Sequence, residues 1–344
     1  MPDDANHHHQ PLNLALQGGG SHGALTWGVL DALLEDGRFN LEGISGTSAG
    51  AMNAVALAHG FAQAARHHKD RDDIHKAGCR LARRTLKELW EGVGALGSLT
   101  WGLPLENNPW LGWVAQWISP AQANPLGFNP LRRLLEAKVD FEQLRAHDRH
   151  EHVPQVFVCA TSVHTGKGRI FSGKELTADA VMASACLPMM FRAVEIDGEP
   201  YWDGGYSGNP ALHPLHYHTR CSDILLVQIN PVELDVTPTG AADIMERMNE
   251  VTFNASLLAE LRAIGFVRRL LDEGKLDPKR YKSVRMHRID GGAVLAPFGS
   301  ASKMRADLGF VRQLFALGRE AGKRWLDEDC AAVGKRSTMP MLEH

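Results

Sequence analysis

Several features are scarce in this chain, and each scarcity closes off a class of function. Nowhere does it approach the ~18 uninterrupted apolar residues that a membrane-crossing helix needs. Its opening, MPDDANHHHQPLNLAL, carries two aspartates and no apolar segment of the kind a secretory signal requires. The chain therefore reads as cytoplasmic. Cysteines number five (Cys79, Cys159, Cys186, Cys221 and Cys330), widely spaced and without a C-x-x-C pair. That pattern argues against structural zinc or redox chemistry and for reduced, buried thiols. A formal net charge of -3 leaves no excess of basic residues for a nucleic-acid partner. Any membrane contact has to be local and transient. No internal repeat is visible. His7 to His9 are read as part of a flexible polar tract rather than a metal site.

What is present is enough apolar residue, 44% of 344, to bury a large core as one big domain or two smaller ones. From residue 12, LNLAL reads as a strand, GGGSHG as a turn, and residues 24–35 as a helix that Gly37 ends. A second strand over 41–45 and a second helix over 49–58 give β-α-β-α, hence a mostly parallel sheet. Further strands are expected in VPQVFVCATSV (153–163), on both sides of an Asp197-Gly198 hairpin turn, in DILLVQIN (223–230) and at 283–289. Long amphipathic helices are expected over 240–272 and 301–328.

Three turns carry the chemistry. The first, Gly46-Thr47-Ser48-Ala49-Gly50, is the only G-x-S-x-G in the chain. A serine on a sharp strand-to-helix turn is held in a strained conformation, and side chains two residues either way would collide, so glycine stands at both Gly46 and Gly50. The turn lifts the hydroxyl and aims the helix N-terminus at negative charge developing there. The second turn, Gly18-Gly19-Gly20-Ser21-His22-Gly23, also follows a strand and opens a helix, one β-α unit before Ser48. Its bare amides suit an oxyanion over Ser48. Gly18, Gly20 and Gly23 equally satisfy the dinucleotide fingerprint G-x-G-x-x-G, with Glu42 placed for a ribose hydroxyl. An oxidoreductase on that fingerprint stays open as an alternative, although a dinucleotide fold has no use for the serine turn that follows Glu42. The third turn, Asp203-Gly204-Gly205, leaves the apolar run Tyr201-Trp202 and offers a base for the serine.

Taken in order, GGGSHG, GTSAG and DGG, with ASACLPMMFRAVEIDGEPYWDGGYSGNP leading into the last, resemble the patatin-like phospholipase family over roughly residues 12 to 215. The resemblance implies a three-layer α/β/α sandwich. It implies a Ser-Asp dyad of Ser48 as nucleophile and Asp203 as base, with Gly18, Gly19 and Gly20 as oxyanion hole. It also implies hydrolysis of acyl lipids, with no metal or other cofactor required by the dyad. An unperturbed aspartate is a feeble base, so Asp203 is expected to be partly buried with a raised pKa. The family often carries Arg or Lys where this chain has His22, so charge there is expected to depend on pH. A conventional Ser-Asp-His triad remains a rival, with His213, His216, His218 and His287 following Asp203. A lipid-binding protein with a vestigial site is a third.

The remaining segments fill in the domain plan. Residues 1–11 are read as a disordered N-terminus, 12–215 as the catalytic domain with 61–130 as a cap or lid insertion, 216–330 as the part completing the sheet with long helices, and 331–344 as a flexible tail. Five of the eight tryptophans fall between 90 and 117, and Trp110, Trp113 and Trp117 share a face if that stretch is helical. Such a face suits a lid or a membrane contact, and equally a core surface. Val251, Leu257, Leu258, Leu261, Ile264 and Leu271 form an apolar stripe for the sheet or for a second copy of the chain. A homodimer through this or the last helix is an open expectation.

Overall fold

Alternation along the core strands decides the architecture. The computed structural model describes residues 9–100, 129–148, 150–234 and 236–340. In β1 (Gln10–Leu16), Leu12, Leu14 and Leu16 point into one apolar cluster and Ala15 into another; in β7 (Asp223–Gln228), Leu225 and Val227 face the first and Ile224 and Leu226 the second. A strand that is apolar on both faces needs cover on both sides. Among the described residues the sheet has eight strands, in the order β5 (Val194–Ile196), β6 (Glu199–Asp203), β3 (Gln155–Ser162), β2 (Phe39–Gly46), β1, β7, β8 (Arg285–Asp290), with β4 (Gly168–Ser172) also paired to β3. Strands β2, β1, β3, β7 and β8 run parallel. Strands β4, β5 and β6 are antiparallel additions at one edge. The fold is α/β with a mostly parallel sheet, as the sequence leads one to expect.

One face is covered by α1 (Gly23–Asp36), α2 (Ala49–His67), α3 (Arg71–Thr100) and the C-terminal helix Leu308–Glu328, and the other by the long helix Ala241–Asp272 and the short one at His213–His218. Helix α1 stops at Gly37, left-handed at φ 73°, as its position predicts. The Asp197-Gly198 turn falls between β5 and β6, also as expected. The first half of the segment read as a cap is instead a core layer: Ile74, Cys79, Leu86, Leu89 and Trp90 of α3 are buried, and Trp90 Nε1 donates to Asn53 Oδ1 at 2.8 Å. Trp110, Trp113 and Trp117 lie outside the described residues. All five cysteines are free and buried. Val251, placed on the apolar stripe from sequence, is 53% exposed; Leu257, Leu261 and Ile264 carry the contact.

The described residues of both terminal segments are more ordered than their composition suggests. Gln10 and Pro11 already pair with Phe39 and Asn40. The segment read as a tail is tied down through residue 340: Gly334 N–H donates to Asp223 Oδ1 at 2.9 Å, Met286 N–H to Ser337 Oγ at 3.2 Å, and Thr338 N–H to Met286 O at 3.1 Å, while Met339 is buried. Asp223 also holds Arg285 at 2.6 Å and His287 at 3.0 Å. Burial alone would raise its pKa, but these partners outweigh burial and hold it well below the ordinary carboxylate range. Removing residues 334–344 is expected to cost about 3 kcal/mol, from one buried methionine and several hydrogen bonds. Urea unfolding of the shortened chain checks this; an unchanged midpoint would mean the tail's contacts contribute nothing.

Candidate active site

The site lies where β1 and β2 end side by side. Parallel pairing of Leu16 with Gly46 brings the glycine turn after β1 against the serine turn after β2. Ser48 is the first residue of neither strand nor helix: it stands at φ 54°, ψ −122°, a conformation that costs a non-glycine residue of order 1–3 kcal/mol and persists only where the surroundings impose it. Here they do. Gly50 passes so close to β1 that a Cβ on it would lie 2.1 Å from Leu16 O, and one on Gly46 would lie 2.5 Å from Gly50 O. Ser48 N–H donates to the buried Ser184 Oγ at 2.9 Å, and Thr47 Oγ1 donates to Gly208 O at 2.6 Å. Gly50→Ala is therefore expected to lower stability by about 3 kcal/mol or to abolish folding, since the clash is with backbone. A melting temperature equal to that of the parent would show that the elbow has room to relax.

Asp203 closes β6 and is 1% exposed. Its backbone is held on both sides, N–H to Cys186 O at 2.8 Å and O from Thr161 Oγ1 at 2.8 Å. Gly204 lies against β3, where a Cβ would meet Cys159 O at 2.0 Å, and Gly205 lies against Phe253 of the long helix. Burial pushes the Asp203 carboxyl up to about 7, against the opposing pull of the Gly205 N–H, which donates to Oδ1 at 2.7 Å, and of the neighbouring Ser48 hydroxyl. Oδ2 is buried and closes no hydrogen bond among the described residues. One carboxyl oxygen thus keeps its capacity to accept.

The glycine turn differs from expectation in one respect. Gly18 lies hard against the serine, a Cβ on it falling 2.7 Å from Ser48 Cβ, but its N–H is already donated to Asn209 Oδ1 at 2.7 Å. The Gly18 N–H, expected to be a free donor, is therefore already spent. Among the described residues the amides of Gly19, Gly20 and Ala49 make no hydrogen bond, and Ala49 opens α2, whose N-terminus adds positive potential. Gly20 takes the left-handed φ of 58° under the carbonyl of Lys303, and Gly23 begins α1 against Ala49 and Trp90.

His22 does not titrate near neutrality. Burial first, and then the charge of Lys303, push its pKa down to about 3, and its Nε2 is paired with Ser302 Oγ at 2.7 Å. The fixed positive charge beside the turn belongs to Lys303, which pairs with Glu250 at 3.4 Å. A cavity of about 550 Å³ opens beside the turn, lined by His22, Ile229, Leu257, Leu261, Arg247 and Lys303 among others. Ser48 and Asp203 do not line it, so it lies beside these two candidate residues without containing them.

The rival assignments do not assemble. Glu42 Oε2 accepts the N–H groups of Arg220 and Cys221 at 2.8 and 2.7 Å, at the far ends of the strands from the glycines, and is unavailable to a ribose. Among the described residues no histidine hydrogen-bonds Ser48 or Asp203. His287 is spent between Asp223 and Thr338, His213 lies 3.7 Å from Glu260, His218 stacks on Phe157, and His216 is depressed to about 4, chiefly by burial. Ser184, Asn209 and Ala49 all fall inside the runs that carry the family resemblance, ASAC, GNP and GTSAG, but residue type and spacing gave the side chains of Ser184 and Asn209 no role.

With an elbow serine, a buried aspartate and free turn amides at the ends of a parallel sheet, comparison with known proteins agrees on the class. A family model for patatin-like phospholipases matches residues 14–216. The chain belongs to the patatin-like phospholipase family. Among solved structures, VipD from Legionella pneumophila aligns at a TM-score of 0.37 and 17% identity, covering 90% of this chain and 67% of its own. ExoU from the type III secretion system of Pseudomonas aeruginosa, solved in complex with SpcU, aligns at 0.30 and 14%, covering 89% and 53%. This chain thus spans about two thirds of the first and about half of the second. No curated protein sequence matches it.

Proposed function

We propose that the chain is a serine lipid acyl hydrolase of phospholipase A or esterase type, working through a Ser48-Asp203 dyad and an acyl-enzyme. The observation that carries this reading is the pairing of a strained Ser48 with a fully buried Asp203 whose pKa is raised to about 7. A base is most useful when its pKa lies near the working pH. Asp203 takes the Ser48 proton as Oγ attacks the ester carbonyl, and the negative oxygen that forms is met by the amides of Gly19, Gly20 and Ala49 at the head of α2. Collapse of that intermediate, with the proton returned from Asp203, expels the alcohol or lysolipid. Water activated by the same carboxylate then releases the fatty acid. His22 stays neutral throughout and contributes no charge.

Contact with a lipid surface belongs to the same reading. The loop after Cys186, whose carbonyl holds the Asp203 amide, exposes Met189 (85%) and Phe191 (44%), and exposed apolar side chains suit an interface. No helix among the described residues is long and apolar enough to cross a membrane. The reading is tested by hydrolysis of p-nitrophenyl acyl esters, and then of phosphatidylcholine vesicles, by the parent, Ser48→Ala and Asp203→Asn. Turnover that survives Ser48→Ala would overturn it.

A further inference from the structure

Four buried carboxamides converge behind the glycine turn, and the dyad does not account for them. Gln17, Asn209, Asn230 and Asn254 are between 0% and 2% exposed and come from four separate parts of the chain: the end of β1, the loop after Asp203, the end of β7 and the long helix Ala241–Asp272. Asn230 and Asn254 lie outside the segment that the family model matches. Gln17 is the hub. Its Oε1 accepts from Ile229 N at 2.8 Å, Asn230 N at 2.9 Å and Asn230 Nδ2 at 3.2 Å, while its Nε2 donates to Asn209 O at 3.2 Å and Asn254 Oδ1 at 3.0 Å. Asn254 Nδ2 in turn donates to Pro231 O at 3.0 Å.

The network ends on Gly18. Asn209 Oδ1 takes its N–H at 2.7 Å, and Asn230 Nδ2 donates to its carbonyl at 2.7 Å. Both polar groups of one glycine are thus gripped by side chains from residues 191 and 212 positions away. Three consecutive glycines are the loosest backbone a chain can build, and holding them in one conformation costs more entropy than for any other residue type. Buried amides are costly unless satisfied, and apolar side chains would fill the same space without that cost. What the amides add is direction. Fixing the Gly18 peptide fixes where the next two amides point, and Gly18 itself touches Ser48.

We infer that Asn209 and Asn230 are positioning residues that orient the Gly19 and Gly20 amides toward the oxyanion, with Gln17 and Asn254 locking them in place. This rests on the serine hydrolase reading above. Neither side chain touches the reacting atoms, so the effect falls on transition-state binding and not on substrate binding. A misplacement of about 1 Å in such a site costs roughly 100-fold in rate.

The test uses the full chain and p-nitrophenyl butyrate, with Asn209→Leu, Asn230→Leu and Asn209→Asp, each checked for folding by circular dichroism and melting. For the two leucine variants kcat is expected to fall about 100-fold with KM within about twofold, as for a lost oxyanion interaction. Inhibition by a butyl trifluoromethyl ketone, which forms a tetrahedral adduct, is expected to weaken in step with kcat. Asn209→Asp keeps an acceptor for the Gly18 N–H and is expected to retain most of kcat. A folded Asn209→Leu with parental kcat, or a kcat loss with unchanged ketone affinity, would overturn the inference. If Asn209→Leu does not fold, Asn230→Leu on the carbonyl side of Gly18 carries the same test. Ser48→Ala run alongside separates the two levels: parental activity in that variant defeats the hydrolase reading itself, and with it this one.

Discussion

Ser48→Ala is expected to lose about 10⁴- to 10⁶-fold in kcat on any acyl ester the parent cleaves, while keeping its fold. The size of the loss follows from the chemistry. Without Oγ there is no acyl-enzyme, and Asp203 together with the turn amides can only assist direct attack by water, a far slower route. The fold is expected to survive because what imposes the elbow is backbone: Gly50 against Leu16 and the Ser48 N–H on Ser184, neither of which involves the Ser48 hydroxyl. Initial rates with p-nitrophenyl butyrate decide the matter, and a loss below about tenfold would remove Ser48 from the mechanism.

The second large effect is expected along the pH axis. In the proposed mechanism Asp203 is a base only when ionised, and burial raises its pKa to about 7. Below that value kcat/KM is expected to fall about tenfold per pH unit, and above it to reach a plateau. Asp203→Asn abolishes the plateau and leaves a small rate without this pH step. Stability moves the other way. A carboxyl whose folded pKa lies above its unfolded value resists ionisation in the fold, so stability declines as pH rises from about 4 to about 7, and the full cost, on the order of a few kcal/mol, is present above that range. Asp203→Asn is therefore expected to melt higher than the parent at pH 8, with the advantage vanishing near pH 4. A parental profile flat from pH 5 to 8, with no such gain in the variant, would mean the carboxyl is not the buried group described here. Gain of stability on losing a catalytic charge is the usual trade at an active site.

The parts of the site that could be read from the sequence are those whose physics is local. An elbow serine needs small neighbours two residues either way, so Gly46 and Gly50 announce Ser48. A strand ending in Asp-Gly-Gly announces Asp203, and alternation along LNLAL and DILLVQ announces a doubly covered sheet. What escaped was decided by residues far apart in the chain. Gly18 looks like a free donor until Asn209, 191 residues on, takes its amide. His22 looks titratable until Ser302 and Lys303 close over it. The tail looks mobile because its residues are polar, yet its attachments are to β8 and to Asp223, more than 50 and 110 residues away. Helix α3 resembled a solvated insertion because its charges are plentiful. Several of them are tethered in the fold: Arg83 pairs with Asp31 and Glu35 of α1, and Glu88 with Lys138. Its Ile74, Leu86, Leu89 and Trp90 face inward.

The nucleophile can be read most directly by covalent capture. The parent chain, reacted at pH 8 with an alkyl fluorophosphonate, digested and mapped by mass spectrometry, is expected to carry one phosphonyl group, on the hydroxyl of Ser48, and Asp203→Asn is expected to acquire it far more slowly. An esterase-active parent that carries the label elsewhere, or none at all, would contradict the assignment of Ser48 and Asp203 as the reacting pair.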